Sequence, residues 1–127
     1  MNLFNMLKKK EQALAYLTLQ YSANLKNHLD FNDLCDSLRL AMHEQGIFPK
    51  AGVRVKAHSI QFYSVADGHA NNGFIDMVLR IGTGRSAEMK ENTGKVLMSR
   101  LELKVEKLLR TGFLALALEI VEIDPEM

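Results

Sequence analysis

Residues 79–86 read LRIGTGRS: an apolar run ends in Gly82, Thr83 and Gly84, and Arg85 and Ser86 open a helical pattern. Unpaired amides at a helix start favour negative charge, and a guanidinium delivered there is shaped to grip a carboxylate with two parallel hydrogen bonds. Phosphate-loop chemistry fails on spacing. A Walker loop places a lysine directly after its last glycine and then a hydroxyl, whereas the TGK at 93–95 falls inside the helical pattern. The dinucleotide fingerprint lacks its third glycine. The plainer alternative for Arg85 is a surface arginine, solvated or paired with Glu88. A second set of polar groups lies in VRVKAHSIQF, residues 53–62, where alternation puts Arg54, Lys56 and His58 on one face and Val53, Val55 and Ala57 on the other.

The elements that must position these groups follow from hydrophobic period. YLTLQY, 16–21, alternates with Leu17, Leu19 and Tyr21 on the drier side. Phe31, Leu34, Cys35, Leu38, Ala41 and Met42 then keep helical spacing, with Asp30 or Asn32 to cap the start and Gly46 to end it. After the 53–62 strand and a turn-rich ADGHANNG comes FIDMVLRI, 74–81, with Ile75, Met77, Leu79 and Ile81 on one side. Ser86 caps a helix whose stripe runs Met89, Thr93, Val96, Leu97, Leu101, Val105 and Leu108, with Gly94 in its interior. A last apolar strand covers residues 114–123.

Strand, helix, strand, twice over, predicts an α+β domain: two βαβ units, a four-stranded mixed sheet and both helices on one face. The other face would carry Thr18, Gln20, Arg54, Lys56, His58, Asp76 and Arg80 together with Val78 and Leu116. That mixture suits neither a core nor open water, and it predicts assembly with further subunits.

At 127 residues with 47% hydrophobic content the chain has one core's worth of material. Sixteen basic residues nearly balance fifteen acidic ones, so no overall field favours nucleic acid or an anionic membrane. The single cysteine, Cys35, has no partner for an internal disulfide, and the start lacks a secretory pattern; both predict a cytoplasmic protein. No apolar run is long enough to span a bilayer. His28, His43 and His69 show no metal-ligand spacing and are expected on the surface. Met42, Met77, Met89 and Met98 read as core filler.

GIFPKAGVRVKAHSIQFYSVADG at 46–68, followed by LRIGTGRS at 79–86, resembles the 5-carboxymethyl-2-hydroxymuconate isomerase family of the tautomerase superfamily. Weaker similarity, including YSANL after the first strand, extends it from about Ala15 to Ile123. The resemblance implies the same fold in a homotrimer, with residues 1–14 an extension and 15–127 the domain. It implies isomerisation of a small unsaturated 2-hydroxy or 2-oxo dicarboxylate in aromatic-acid breakdown, with no metal or organic cofactor. Two carboxylate-binding arginines of the family fall on Arg54 and Arg85.

The same resemblance exposes a departure. The family's catalytic base is an N-terminal proline, and matching the first strand puts that proline at Ala15. An internal amide nitrogen has no basic lone pair, so position 15 cannot take a proton from carbon. Pro49 and Pro125 are the only prolines in the chain, so no shifted start restores one. Three substitutes are available. Tyr16 adjoins the lost position, but a phenol titrates near pH 10 and makes a poor base unless strongly perturbed. His58 carries an imidazole, although the family keeps a histidine there beside its proline, which points to orienting substrate. Met1 has a primary amine that residues 1–14 are long enough to fold back. Leu3, Phe4, Met6 and Leu7 make a short amphipathic segment suited to docking on a neighbouring subunit, and the lysines at 8–10 read as solvated.

Overall fold

The computed structural model describes residues 14–123. Met1, the lysines at 8–10 and the apolar residues at 3–7 lie outside that range, as does Pro125. Strand β1 spans Ala15–Ser22, helix α1 Phe31–Glu44, β2 Val53–Ile60, β3 Gly73–Ile81, helix α2 Ala87–Lys104, a single turn α3 Glu106–Leu109, and β4 Leu114–Glu122. The sheet order is β2-β1-β3-β4. The outer pairs, β1 with β2 and β3 with β4, are parallel and are each joined through a helix, while the central pair β1 and β3 is antiparallel. The two crossover units meet there.

Caps set the helix starts. The Asp30 side chain accepts from the Asp33 amide at 3.0 Å, and Ser86 accepts from the Met89 amide at 3.1 Å. Helix α1 stops at Glu44, and Gly46 takes φ 70°, a left-handed angle that turns the chain toward β2. Ala15, Leu17, Leu19 and Tyr21 from β1 and Ile75, Met77, Leu79 and Ile81 from β3 are all buried. They meet Leu34, Leu38, Ala41 and Met42 of α1 and Leu97 and Leu101 of α2. Each fully buried Leu or Ile contributes about 1.5–3 kcal/mol, so this one layer between helices and sheet carries the fold.

The alternating faces fall as read, with one correction: Leu116 pairs with Ile75 and shares the helix side, so the fourth strand gives the open face Ala115, Ala117, Glu119 and Val121 instead. The second helical stripe also differs. Helix α2 ends at Lys104, Val105 adopts φ −113°, and only a short turn follows, so Leu108 belongs to α3. Val96 faces out, at 37% exposure. Gly94 lies where the helix comes close to β4: a Cβ built there would stand 3.4 Å from Ile120 Cδ1. Met42 and Met77 are core residues, and Met89 and Met98 are half-buried.

The YSANL segment ties strand ends together. Ser22 Oγ accepts from the Phe74 amide at 2.9 Å, the Asn24 side-chain amide donates to the Asn72 carbonyl at 2.9 Å, and the Asn24 amide donates to the Tyr63 hydroxyl at 3.3 Å. Between β2 and β3 the chain is held by Asp67, whose Oδ1 accepts from the His69 amide and the Asn72 side chain, while the His69 ring stacks on Phe113. These two hydrogen bonds, the backbone one first, hold the Asp67 carboxyl below its ordinary range. A carboxyl lowered in the fold stabilises the loop above its unfolded value and loses that contribution as pH falls through the lowered one. Protection of the His69 amide relative to its intrinsic exchange rate should therefore fall in acid in the natural protein and be weaker and independent of pH in Asp67→Asn. Identical exchange profiles for the two would show that the carboxylate holds nothing.

Candidate carboxylate site

Both arginines follow closely on the strand partners of Ala15 at the start of β1. Ala15 pairs with Val53 on one side and Ile81 on the other. Arg54 is therefore one residue beyond Ala15's β2 partner, and the Gly82–Arg85 turn leaves directly from its β3 partner. From that turn Arg85 reaches to the opposite side: Nη2 donates to the Ile47 carbonyl at 2.9 Å, in the loop that leads into β2. Its guanidinium carbon lies 4.6 Å from the Phe48 ring centroid. Since β1 stands between β2 and β3, Arg85 ties the turn after β3 to the loop before β2.

Arg85 is half-buried and forms no ion pair with Glu88 among the described residues. Desolvation pushes its guanidinium below the ordinary arginine value. Nε is buried and has no hydrogen-bond partner among the described residues. An unpaired buried donor costs about 1–3 kcal/mol.

Arg54 is exposed on the open sheet face, its guanidinium 3.9 Å from the centroid of the Tyr16 ring. Register explains the contact: Tyr16 pairs with Arg54 on β2 and with Arg80 on β3. Tyr16 is thus brought to the arginines. His58 is not: it pairs with Gln20, four residues up β2 from Arg54, or about 13 Å at the usual rise of a strand. Met1 lies outside the described residues.

At position 15 itself the chain continues backwards. The Leu14 carbonyl accepts from the Gly82 amide at 3.3 Å, extending the ladder past the start of β1. The nitrogen of Ala15 is a peptide nitrogen in a residue with 0% exposure.

Reading the chain locally missed Phe48 and Ile47 as the seat of Arg85, and missed the Arg54, Tyr16, Arg80 row. Only the row had a local signal: Arg80 alternates with Leu79 and Ile81, and so shares the face of Arg54 once β1 is placed between them. Elsewhere, a hollow of about 350 Å³ between His28, Leu29 and Leu103–Leu108 is lined by neither arginine. His28 and His69 are exposed as expected, but His43 is half-buried with a buried Nε2, because α1 ends against α2 there. No cluster of three potential metal ligands occurs among the described residues, and none of their helices is long and apolar enough to cross a membrane.

Comparison with known proteins covers nearly the whole chain. The model of the family described as 5-carboxymethyl-2-hydroxymuconate isomerase matches residues 15–127. The 5-carboxymethyl-2-hydroxymuconate Delta-isomerase of Escherichia coli is 29% identical over 114 residues, 90% of each chain. A crystal structure of a 5-carboxymethyl-2-hydroxymuconate isomerase from Deinococcus radiodurans R1 superposes with a TM-score of 0.84 at 31% identity, covering 91% of this chain and 87% of that one. A fused 4-OT described as a wild type symmetric trimer shares the fold, with a TM-score of 0.60 at 14% identity, 84% of this chain and 85% of that one. With its fold and nearly its whole length matched, the chain belongs to the 5-carboxymethyl-2-hydroxymuconate isomerase family of the tautomerase superfamily.

Proposed function

We propose that the protein isomerises a small unsaturated 2-hydroxy or 2-oxo dicarboxylate of the kind met in aromatic-acid breakdown, with Arg54 and Arg85 holding the carboxylates. The observation that carries this reading is the half-buried Arg85, free of ion pairs among the described residues and just past Ala15's β3 partner, with Arg54 one residue beyond its β2 partner. Keto-enol or double-bond shifts pass through a dienolate whose charge spreads toward the carboxylates, and fixed guanidiniums stabilise that charge without reorganising. The base is not residue 15. Among the other candidates Tyr16 stands beside Arg54, and His58 is too far along the strand to reach a ligand held there.

On this reading residues 15–127 form the catalytic domain and residues 1–14 an extension, in a cytoplasmic homotrimer that uses neither metal nor organic cofactor. The mixed open face, with Arg54, Lys56, His58, Asp76, Arg80 and Glu119 exposed beside half-buried Val78, supports assembly. A second reading, a trimer that binds a small carboxylate without turning it over, is favoured by the intact Leu14–Ala15 peptide bond at the family's proline position.

The test is ultraviolet-monitored ketonisation of 2-hydroxydienoates and phenylenolpyruvate, run beside thermal melts with the same compounds. Turnover above buffer that falls to background in Arg54→Ala and in Arg85→Ala is the expected result. A ligand-dependent rise in Tm with no turnover supports the silent binder, and the absence of both defeats the carboxylate site.

A further inference from the structure

We propose that Arg80 is a third cation of this site, closing with Arg54 from two sides on one carboxylate above Tyr16 while Arg85 takes the other, so that the site selects dianions. The inference rests on the carboxylate reading given above.

The cross-strand register carries it. Arg54, Tyr16 and Arg80 lie in one row across β2, β1 and β3, and all three point to the open face. Neighbouring strands are about 4.8 Å apart, which puts the two arginine Cα atoms roughly 10 Å from one another with the phenol between them. Two arginine side chains rooted at that separation can meet on a single carboxylate. The contact at 3.9 Å holds the Arg54 guanidinium over the Tyr16 ring, and none of its N–H groups has a hydrogen-bond acceptor among the described residues.

Charge points the same way. The fourth residue of the row, on β4, is Val121, so the row holds two cations and no acid. Neither Arg54, Lys56 nor Arg80 makes an ion pair among the described residues. The acids on this face are Asp76, four residues from Arg80 along β3, and Glu119, which pairs with Val78 one row away from the Tyr16 row on its face. Glu122, near the end of β4, is turned to the helix side, where it pairs with Lys90 at 2.9 Å. Arg54 and Arg80 flank Tyr16 from the strands on either side, and an anion lodged between two like charges is attracted by both.

A matched pair of probes separates this inference from the reading beneath it. Hexa-2,4-dienedioate and hexa-2,4-dienoate share a carbon skeleton and differ by one carboxylate. Calorimetry on the full chain should show that Arg80→Ala weakens the dienedioate roughly tenfold or more, the range expected for losing a charge-assisted hydrogen bond, while the dienoate changes by less than about threefold. Arg80→Lys, which keeps the charge but not the fork, should fall between. Salt dependence of dienedioate binding should flatten in Arg80→Ala. If Arg80→Ala and Arg80→Gln bind both probes as the natural protein does, while Arg54→Ala and Arg85→Ala do not, the site stands and the third cation is refuted. If Arg80→Ala changes only the mass by sedimentation, Arg80 is a packing residue and the proposal fails. Unaltered binding in all the arginine variants, or none in the natural protein, overturns the site and this inference together.

Discussion

A chain that starts at position 15, with Ala15→Pro exposed by methionine removal, should ketonise 2-hydroxydienoates about 10²–10⁴-fold faster than the natural protein. That is the usual contribution of a positioned general base. The reason lies in one atom. In the natural chain the nitrogen of residue 15 is an amide, its lone pair delocalised into the Leu14 carbonyl, and that carbonyl is itself engaged by the Gly82 amide. A chain-terminal amine instead titrates near pH 7.7–8.0, within reach of neutral-pH proton transfer. The scaffold should survive the change, because Ala15 is the first residue of β1, where proline is tolerated, and its neighbours Val53 and Ile81 are held by the rest of the ladder. Truncation alone also creates a primary amine at Ala15, so the Ala-starting chain is the necessary control and should fall between the two. Arg54→Ala or Arg85→Ala in the proline form should remove the gain. A folded proline form that binds dienedioate yet turns over no faster than the natural chain would mean that the missing base is not what limits this protein.

How much of this was legible before folding depends on whether a signal is local. Alternation in YLTLQY and FIDMVLRI assigned faces correctly because one face of each strand is apolar and the other polar, which fixes register. LALALEIVEI is apolar on both faces over most of its length, so the side taken by Leu116 was decided by pairing with β3 and not by the pattern. The helical spacing of Leu101, Val105 and Leu108 runs on through a real break, since Leu108 still reaches the core from the following turn. At the site, Arg85 could be singled out by its glycine turn and helix cap, but Ile47 and Phe48 are almost forty residues away and their meeting is tertiary. Tyr16 and Arg54 are likewise joined only by the parallel register of β1 and β2. The absence of a base at position 15 was fully legible, because it is a statement about covalent chemistry.

Gly73→Ala should destabilise the domain by about 1–3 kcal/mol, the usual range for overpacking a tight site, and part of that loss should disappear when Ser22 is removed first. A Cβ at position 73 would stand 2.9 Å from Ser22 Oγ, 3.1 Å from Leu25 Cδ2 and 3.2 Å from Asn24 Oδ1. None of these can retreat freely: Ser22 has 0% exposure and its hydroxyl accepts from the Phe74 amide, Leu25 is a core residue, and the Asn24 side chain is tied to the Asn72 carbonyl. Ser22→Ala alone should also cost about 1–3 kcal/mol, because it leaves a part-buried Phe74 amide without its acceptor. In the double variant the shortest clash is gone while the lost hydrogen bond is counted once, so the combined loss should be smaller than the sum of the two. Urea melts of the four proteins give the coupling directly. Strict additivity would mean that Gly73 is required by Leu25 and Asn24, and that the serine of YSANL acts on Phe74 alone. A positive coupling ties the glycine that opens β3 to the serine that ends β1, making this corner one packed unit at the end of the sheet opposite the arginines.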